Sequence, residues 1–187
     1  MITKNEIREI NRRKRSAMAK TEVLEKSLAA EKIFLESEIY KNAKTIMLYM
    51  PLGNEVSVTE IMKAAFRDGK SLVFPTTCKK NGRITPRYVK EDTIFQKGAF
   101  GVGEPYRAKA AKASQIDVAL IPGIAFDKTG ARVGFGAGCY DRFLEKLSVL
   151  KVGVCYDFQL CGKIAIAPHD IRMDFLLTEK GLIKIKE

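Results

Sequence analysis

The chain has 187 residues, enough for one domain with a buried core, and 46% hydrophobic with 29% charged residues is ordinary globular usage that excludes a disordered polypeptide. Its longest apolar runs, such as Val118 to Ile121, are too short to cross a bilayer, and the polar, basic N-terminus has no secretory pattern, so a cytoplasmic location is expected. A net charge of +11, from 33 basic and 22 acidic residues, favours anionic partners without choosing among nucleotides, polyglutamates, nucleic acid and acidic membrane.

In chain order, residues from about Thr3 to Tyr40 read as helix, broken once near Ala19 to Thr21. Ile7, Ile10, Leu24, Leu28 and Phe34 form its apolar stripe, and the run Arg8, Arg12, Arg13, Lys14, Arg15 is either a solvated face or a binding surface. Thr45 to Met50 has strand length. A helix from about Val58 to Asp68 follows, opened by a capping box of Ser57 with Glu60 and stopped by Gly69. Ser71 to Pro75 is the next strand. Ile84 to Val89 and Thr93 to Phe95 read as edge strands around an Asn81-Gly82 turn, and Gly98, Gly101 and Gly103 punctuate a loop ending at Glu104-Pro105. Ile116 to Ile121 is a buried strand, a helix opens near Gly138 and runs from Arg142 to Leu147, and Val149 to Tyr156 and Met173 to Thr178 are the last two strands. Strands alternating with helices predict a single-domain α/β fold, a three-layer α/β/α sandwich with a mostly parallel central sheet, whose ligands bind beyond the carboxyl ends of strands.

The four cysteines, Cys78, Cys139, Cys155 and Cys161, contain no C-x-x-C pair and fit reduced thiols better than a zinc site. The segment with most chemical content is Gly134-Phe135-Gly136-Ala137-Gly138, between Arg132 and Asp141. Glycines at alternate positions let a backbone approach a phosphate, the following helix start offers N–H groups, and Arg132 can clamp phosphate oxygens. Asp141 is the residue type that holds magnesium beside a triphosphate. The spacing is neither a Walker A loop nor a dinucleotide fingerprint, and taken alone it describes a mobile turn equally well.

The flanks add specificity. Ile121-Pro122-Gly123-Ile124-Ala125-Phe126-Asp127, the Gly130-x-Arg132 step, and Gly134-x-Gly136-x-Gly138-x-Tyr140-Asp141-Arg142-x-Leu144 together resemble the signature of the 5-formyltetrahydrofolate cyclo-ligase (methenyltetrahydrofolate synthetase) family. Lys4 and Arg8, Tyr49 with Glu55-Val56, Gly103-Glu104-Pro105, and His169-Asp170 with Asp174 extend the resemblance over nearly the whole chain.

The resemblance implies ATP-dependent conversion of 5-formyltetrahydrofolate to 5,10-methenyltetrahydrofolate through a phosphorylated formyl group, with Mg2+ required. It places ATP on Lys4, Asn5, Glu6, Ile7 and Arg8, and on Arg132, Val133, Gly134, Phe135, Gly136, Ala137, Gly138, Cys139 and Tyr140, with Arg132 and Tyr140 as catalytic residues. Met50 and Glu55 contact the folate, which meets the γ-phosphate at Phe135 to Cys139; Asp141 and Asp170 hold the metal. The family commonly has Tyr, Gly and Tyr where this chain has Phe135, Ala137 and Cys139. His169, without a paired acid or nucleophile, is left outside the site. A monomer is expected. The alternatives are a cyclo-ligase-like protein acting on another nucleotide or cofactor, and a nucleic-acid-binding module built on Arg12, Arg13 and Arg15, for which the chain has no recognised motif.

Overall fold

The N-terminal segment folds as three helices, α1 (Lys4–Ser16), α2 (Lys20–Glu36) and α3 (Glu38–Asn42), in a computed structural model that describes residues 2–145 and 147–186. The expected break after α1 is present, and a second lies at Ser37, whose hydroxyl donates to the Phe34 carbonyl and accepts from Tyr40 N–H. Next come β1 (Thr45–Met47), α4 (Thr59–Arg67), β2 (Ser71–Thr77) and β3 (Ile84–Val89). A small hairpin follows, β4 (Phe95–Lys97) with β5 (Gly103–Pro105), then β6 (Val118–Pro122), β7 (Ala125–Asp127) and β8 (Arg132–Val133). The chain ends with α5 (Cys139–Leu144), β9 (Leu150–Val154), β10 (Leu160–Cys161), β11 (Phe175–Thr178) and β12 (Gly181–Lys184).

The central sheet has the order β12-β11-β9-β6-β1-β2-β3. Its five inner strands are parallel, and β12 and β3 close the two edges antiparallel. Alternation along each strand divides the core. Ile46, Leu72, Phe74, Val118 and Leu120 face α2, α3 and α4, whereas Met47, Val73, Ala119 and Ile121 face the side that holds Leu144 of α5 and Phe126 of β7. Both faces are covered, which is the expected sandwich. The second outer layer is thinner than the first: α5 is short, and a three-stranded sheet, β10-β7-β8, fills the remainder. Helix α1 packs on that small sheet through Ile7, against Ala125, Ala131 and Val133.

Several local expectations change. Ser57 does not form a capping box with Glu60; its hydroxyl accepts from Thr59 N–H, and α4 is capped across the layer by Glu31 of α2, whose Oε1 accepts from Glu60 N (2.6 Å) and Ile61 N (3.4 Å). The strand expected at Thr93 to Phe95 starts at Phe95, and the glycine-punctuated loop before Glu104 is the β4–β5 hairpin, because Gly98 and Gly101 form its turn. Helix α5 starts as expected near Gly138 but ends at Leu144, and Lys146 of the expected span lies outside the described residues. The strand β12 and the small sheet were not anticipated, since runs of two to four residues carry little periodicity.

Candidate active site

Strand order reverses around β1: the chain moves to β2 on one side and to β6 on the other. Such a switch point separates the loops that leave adjacent strands and opens a crevice at their carboxyl ends. Here the crevice is a cavity of about 510 Å³, a volume typical of small-molecule sites. Met50, Leu52 and Glu55 reach it from beyond β1, Pro75 and Thr77 from the end of β2, and Pro122 from the end of β6.

Helix α1 delivers its cations by period. Residues four apart share a face, and Lys4 and Arg8 both line the cavity. Lys4 Nζ lies 2.5 Å from Asp170 Oδ2. Arg8 Nε donates to the Gly134 carbonyl (2.8 Å) and Arg8 Nη1 to Asn5 Oδ1 (2.6 Å). The next turns continue the same stripe, with Arg12 and Arg15 over the Phe135 ring at 5.6 and 5.8 Å. The three residues between Lys4 and Arg8 are not among those that line the cavity. Asn5 holds Arg8, Glu6 closes the helix cap on Thr3, and Ile7 is buried on the small sheet.

The glycine run has the freedom its composition implies. Gly136 and Gly138 adopt φ of 111° and 62°, a region L-residues avoid, whereas Ala137 has negative φ and is accommodated without strain. Gly134 serves a different need: a Cβ there would lie 2.7 Å from Arg132 Nη1, so its absence lets the Arg132 side chain pass. Arg132 is buried, its Nη2 bonded to Asp141 Oδ2 at 2.8 Å, and its Nε has no partner among the described protein groups. A buried guanidinium with a free N–H is costly unless an anion meets it. The Val133 side chain turns the other way, into the core opposite Ala125. Asp127, quoted within the sequence motif, is structural: its carboxylate accepts from Thr129, Ala131 and Ile164 backbone N–H groups and shapes the turn that feeds Arg132. Burial alone would raise its pKa, but those bonds hold it below the usual carboxylate range.

Among the remaining lining groups, Glu55 is buried, its Oε2 accepting from Leu52 N (2.9 Å) and its Oε1 3.4 Å from Arg15 Nη1. Burial pushes its pKa up, and Arg15 and the Leu52 amide pull against that. Burial likewise raises Tyr140, which stays a neutral hydroxyl beneath the Arg132 guanidinium, 5.6 Å from its ring centroid. Cys139 and Asp141 complete the wall from α5. Asp170 lies where Lys4 and the Ala167 amide meet; burial would raise it, and those two donors hold it below the usual range.

Several lining residues lie outside the expected site set, His169, Glu104 and Phe100 among them. His169 lines the cavity beside Asp170, a position its neighbour's assignment already implied. Glu104 reaches it while accepting from Thr77 N at 2.8 Å. Phe100 lines it as well, 59% exposed, with φ of 56°. That left-handed backbone at a bulky residue costs about 1–3 kcal/mol and is held by the β4–β5 turn.

Asp141 and Asp170 both line the cavity, yet each carboxylate is paired with a cation, and among the described residues no three His, Cys, Asp or Glu side chains converge on one point. An all-protein metal cage is therefore not built here. Magnesium does not require such a cage, since that ion is usually held by one or two carboxylates with water and substrate phosphates.

The model of the 5-formyltetrahydrofolate cyclo-ligase family matches residues 1–179. A 5-formyltetrahydrofolate cyclo-ligase of Saccharomyces cerevisiae is 31% identical over 168 residues, covering 76% of this chain and 79% of that protein. The mouse protein of the same name is 25% identical, covering 91% of this chain and 90% of its own. The solved structure of an Aquifex aeolicus 5,10-methenyltetrahydrofolate synthetase superposes with a TM-score of 0.87 at 31% identity, over 100% of this chain and 94% of that one. A Mycoplasma pneumoniae 5,10-methenyltetrahydrofolate synthetase gives 0.77 at 27% identity, over 95% and 99%. No helix among the described residues is long and apolar enough to cross a membrane.

Proposed function

The chain belongs to the 5-formyltetrahydrofolate cyclo-ligase family, and on that premise we propose that it converts 5-formyltetrahydrofolate to 5,10-methenyltetrahydrofolate with ATP consumed to ADP and phosphate in the cavity beyond β1 and β6. The observation that carries the nucleotide half is the convergence of Lys4, Arg8 and Arg132 on one cavity beside a glycine run that opens its backbone to it.

In this reading the formyl oxygen attacks the γ-phosphorus, ADP leaves, and the resulting iminophosphate is attacked at its carbon by the folate N10. Phosphate then departs as the ring closes, and the N10 proton is released to solvent. Such phosphoryl transfer needs positioning and charge neutralisation more than a protein nucleophile. Arg132 clamps phosphate oxygens, with Lys4 and Arg8 adding positive charge from α1. Amides of Gly134 to Gly138 approach the phosphates, and Tyr140 orients an oxygen through its neutral hydroxyl. Glu55 accepts from pterin N–H groups, and Met50 supplies apolar contact. Asp141, with Asp170 second, would hold magnesium, which when bound neutralises phosphate charge.

The test is direct. Purified protein with 5-formyltetrahydrofolate and Mg-ATP should generate the near-ultraviolet absorbance of the methenyl product; folded protein giving none at high enzyme concentration would refute the assignment.

A further inference from the structure

Arg15 is not a member of the expected site set and does not line the cavity, yet it neighbours residues of both groups that do. Its side chain is buried at the end of α1, 3.4 Å from the Glu55 carboxylate, and its guanidinium carbon sits 5.8 Å from the Phe135 ring centroid. The backbone around it is fixed as well: Asn54 Nδ2 donates to the carbonyls of Arg15 (2.9 Å) and Met18 (3.2 Å), which pins the loop after β1 to the end of the helix. A solvated basic run would not be folded in this way.

We propose that Arg15 is a positioning residue for the reaction, holding the Glu55 carboxylate toward the folate and tying it, through Phe135, to the glycine run that receives ATP. The inference rests on the folate and ATP reading above. Without Arg15, Glu55 would keep one backbone donor and no cation among the described residues. A buried, unpaired carboxylate takes up a proton rather than stay charged. Protonation turns one of its two acceptor oxygens into a donor and reverses half of the pattern offered to the pterin. The other titratable groups facing Glu55 are Tyr49, from beyond β1, and Tyr140, from α5; burial keeps both neutral, so neither can replace the arginine. The sign follows: Arg15 lowers the Glu55 pKa against burial, and its removal moves that titration to higher pH.

The experiment measures kcat and KM for each substrate in the full chain, from acid to mildly alkaline pH, by phosphate release. Arg15→Met should raise the KM for 5-formyltetrahydrofolate by about tenfold at acid pH, where the unpaired carboxyl is protonated, and the deficit should shrink as pH rises. Arg15→Lys, which restores the charge, should recover most of the wild-type profile. Glu55→Gln should lack the acid limb that Arg15→Met displaces. Arg15→Gln runs beside the methionine variant in case the latter does not fold, with circular dichroism reporting the fold. A deficit equal at every pH, confined to the KM for ATP, or unrelieved by lysine overturns the positioning role while leaving the reaction assigned. Wild-type protein that forms no methenyl product overturns the reaction and the inference together.

Discussion

Glu31 gives a stability prediction that follows from one misjudged helix start. The sequence suggests that Ser57 and Glu60 cap α4, whereas the structure inserts Glu31 of α2, 2% exposed, with Oε1 on the Glu60 and Ile61 amides. Burial raises this carboxyl to about 7, and the two amide bonds only partly oppose it. The folded chain thus binds a proton that the unfolded chain has released, over the window from about 4.5 to about 7. Stability from this group is fully present below that window and is lost as pH rises through it. A shift of this size corresponds to an upper limit of about 3 kcal/mol, and about 1–2 kcal/mol after discounting for solvent screening and relaxation. Glu31→Gln keeps the accepting oxygen and cannot ionise, so it mimics the protonated acid. Thermal melts of both proteins across pH should coincide near pH 4.5 and diverge by pH 8, the variant melting higher by about 2–8 °C. Parallel curves at every pH would refute the reasoning, as would a variant less stable at high pH.

Two further substitutions probe the nucleotide side. Gly134→Ala puts a methyl 2.7 Å from Arg132 Nη1, the flexible end of a side chain, so melting should change little while the KM for ATP rises about tenfold; an unchanged KM would show that Arg132 does not need that passage. Asp141→Asn keeps an acceptor for Arg132 and removes the charge that would hold magnesium, so turnover should fall on the order of a hundredfold with the fold intact. Near wild-type, magnesium-dependent turnover in that variant would refute the metal role.

What the sequence made legible depended on the length scale of each signal. Val118 to Ile121 and Ser71 to Pro75 are apolar runs long enough to identify buried parallel strands, and glycines at alternate positions implied the backbone freedom found at Gly136 and Gly138. The cation stripe of α1 was half visible. Lys4 and Arg8, four apart, share the face that lines the cavity, while the same period turns Ile7 into the core. In sequence Arg15 is indistinguishable from the rest of its basic run, because its partner, Glu55, is distant in sequence and only the packing of α1 joins them. The same holds for Glu31 on α4, for Glu104 at Thr77 and for Phe100 at the cavity. Each depends on tertiary packing between segments distant in sequence, which no local pattern encodes. Cys139, an apparent loss of a ring at sequence level, contributes to the cavity wall next to Tyr140, where an aromatic hydroxyl remains.

The coupling of the two halves of the cavity is tested most directly by following phosphate release and methenyl product together, in wild-type protein and in Arg132→Met. The wild type should release one phosphate per product formed, only when ATP and 5-formyltetrahydrofolate are both present, and Arg132→Met should lose both signals while remaining folded. Product formed without ATP, phosphate released without folate, or full activity in the variant would contradict a site built around Arg132 and the glycine run.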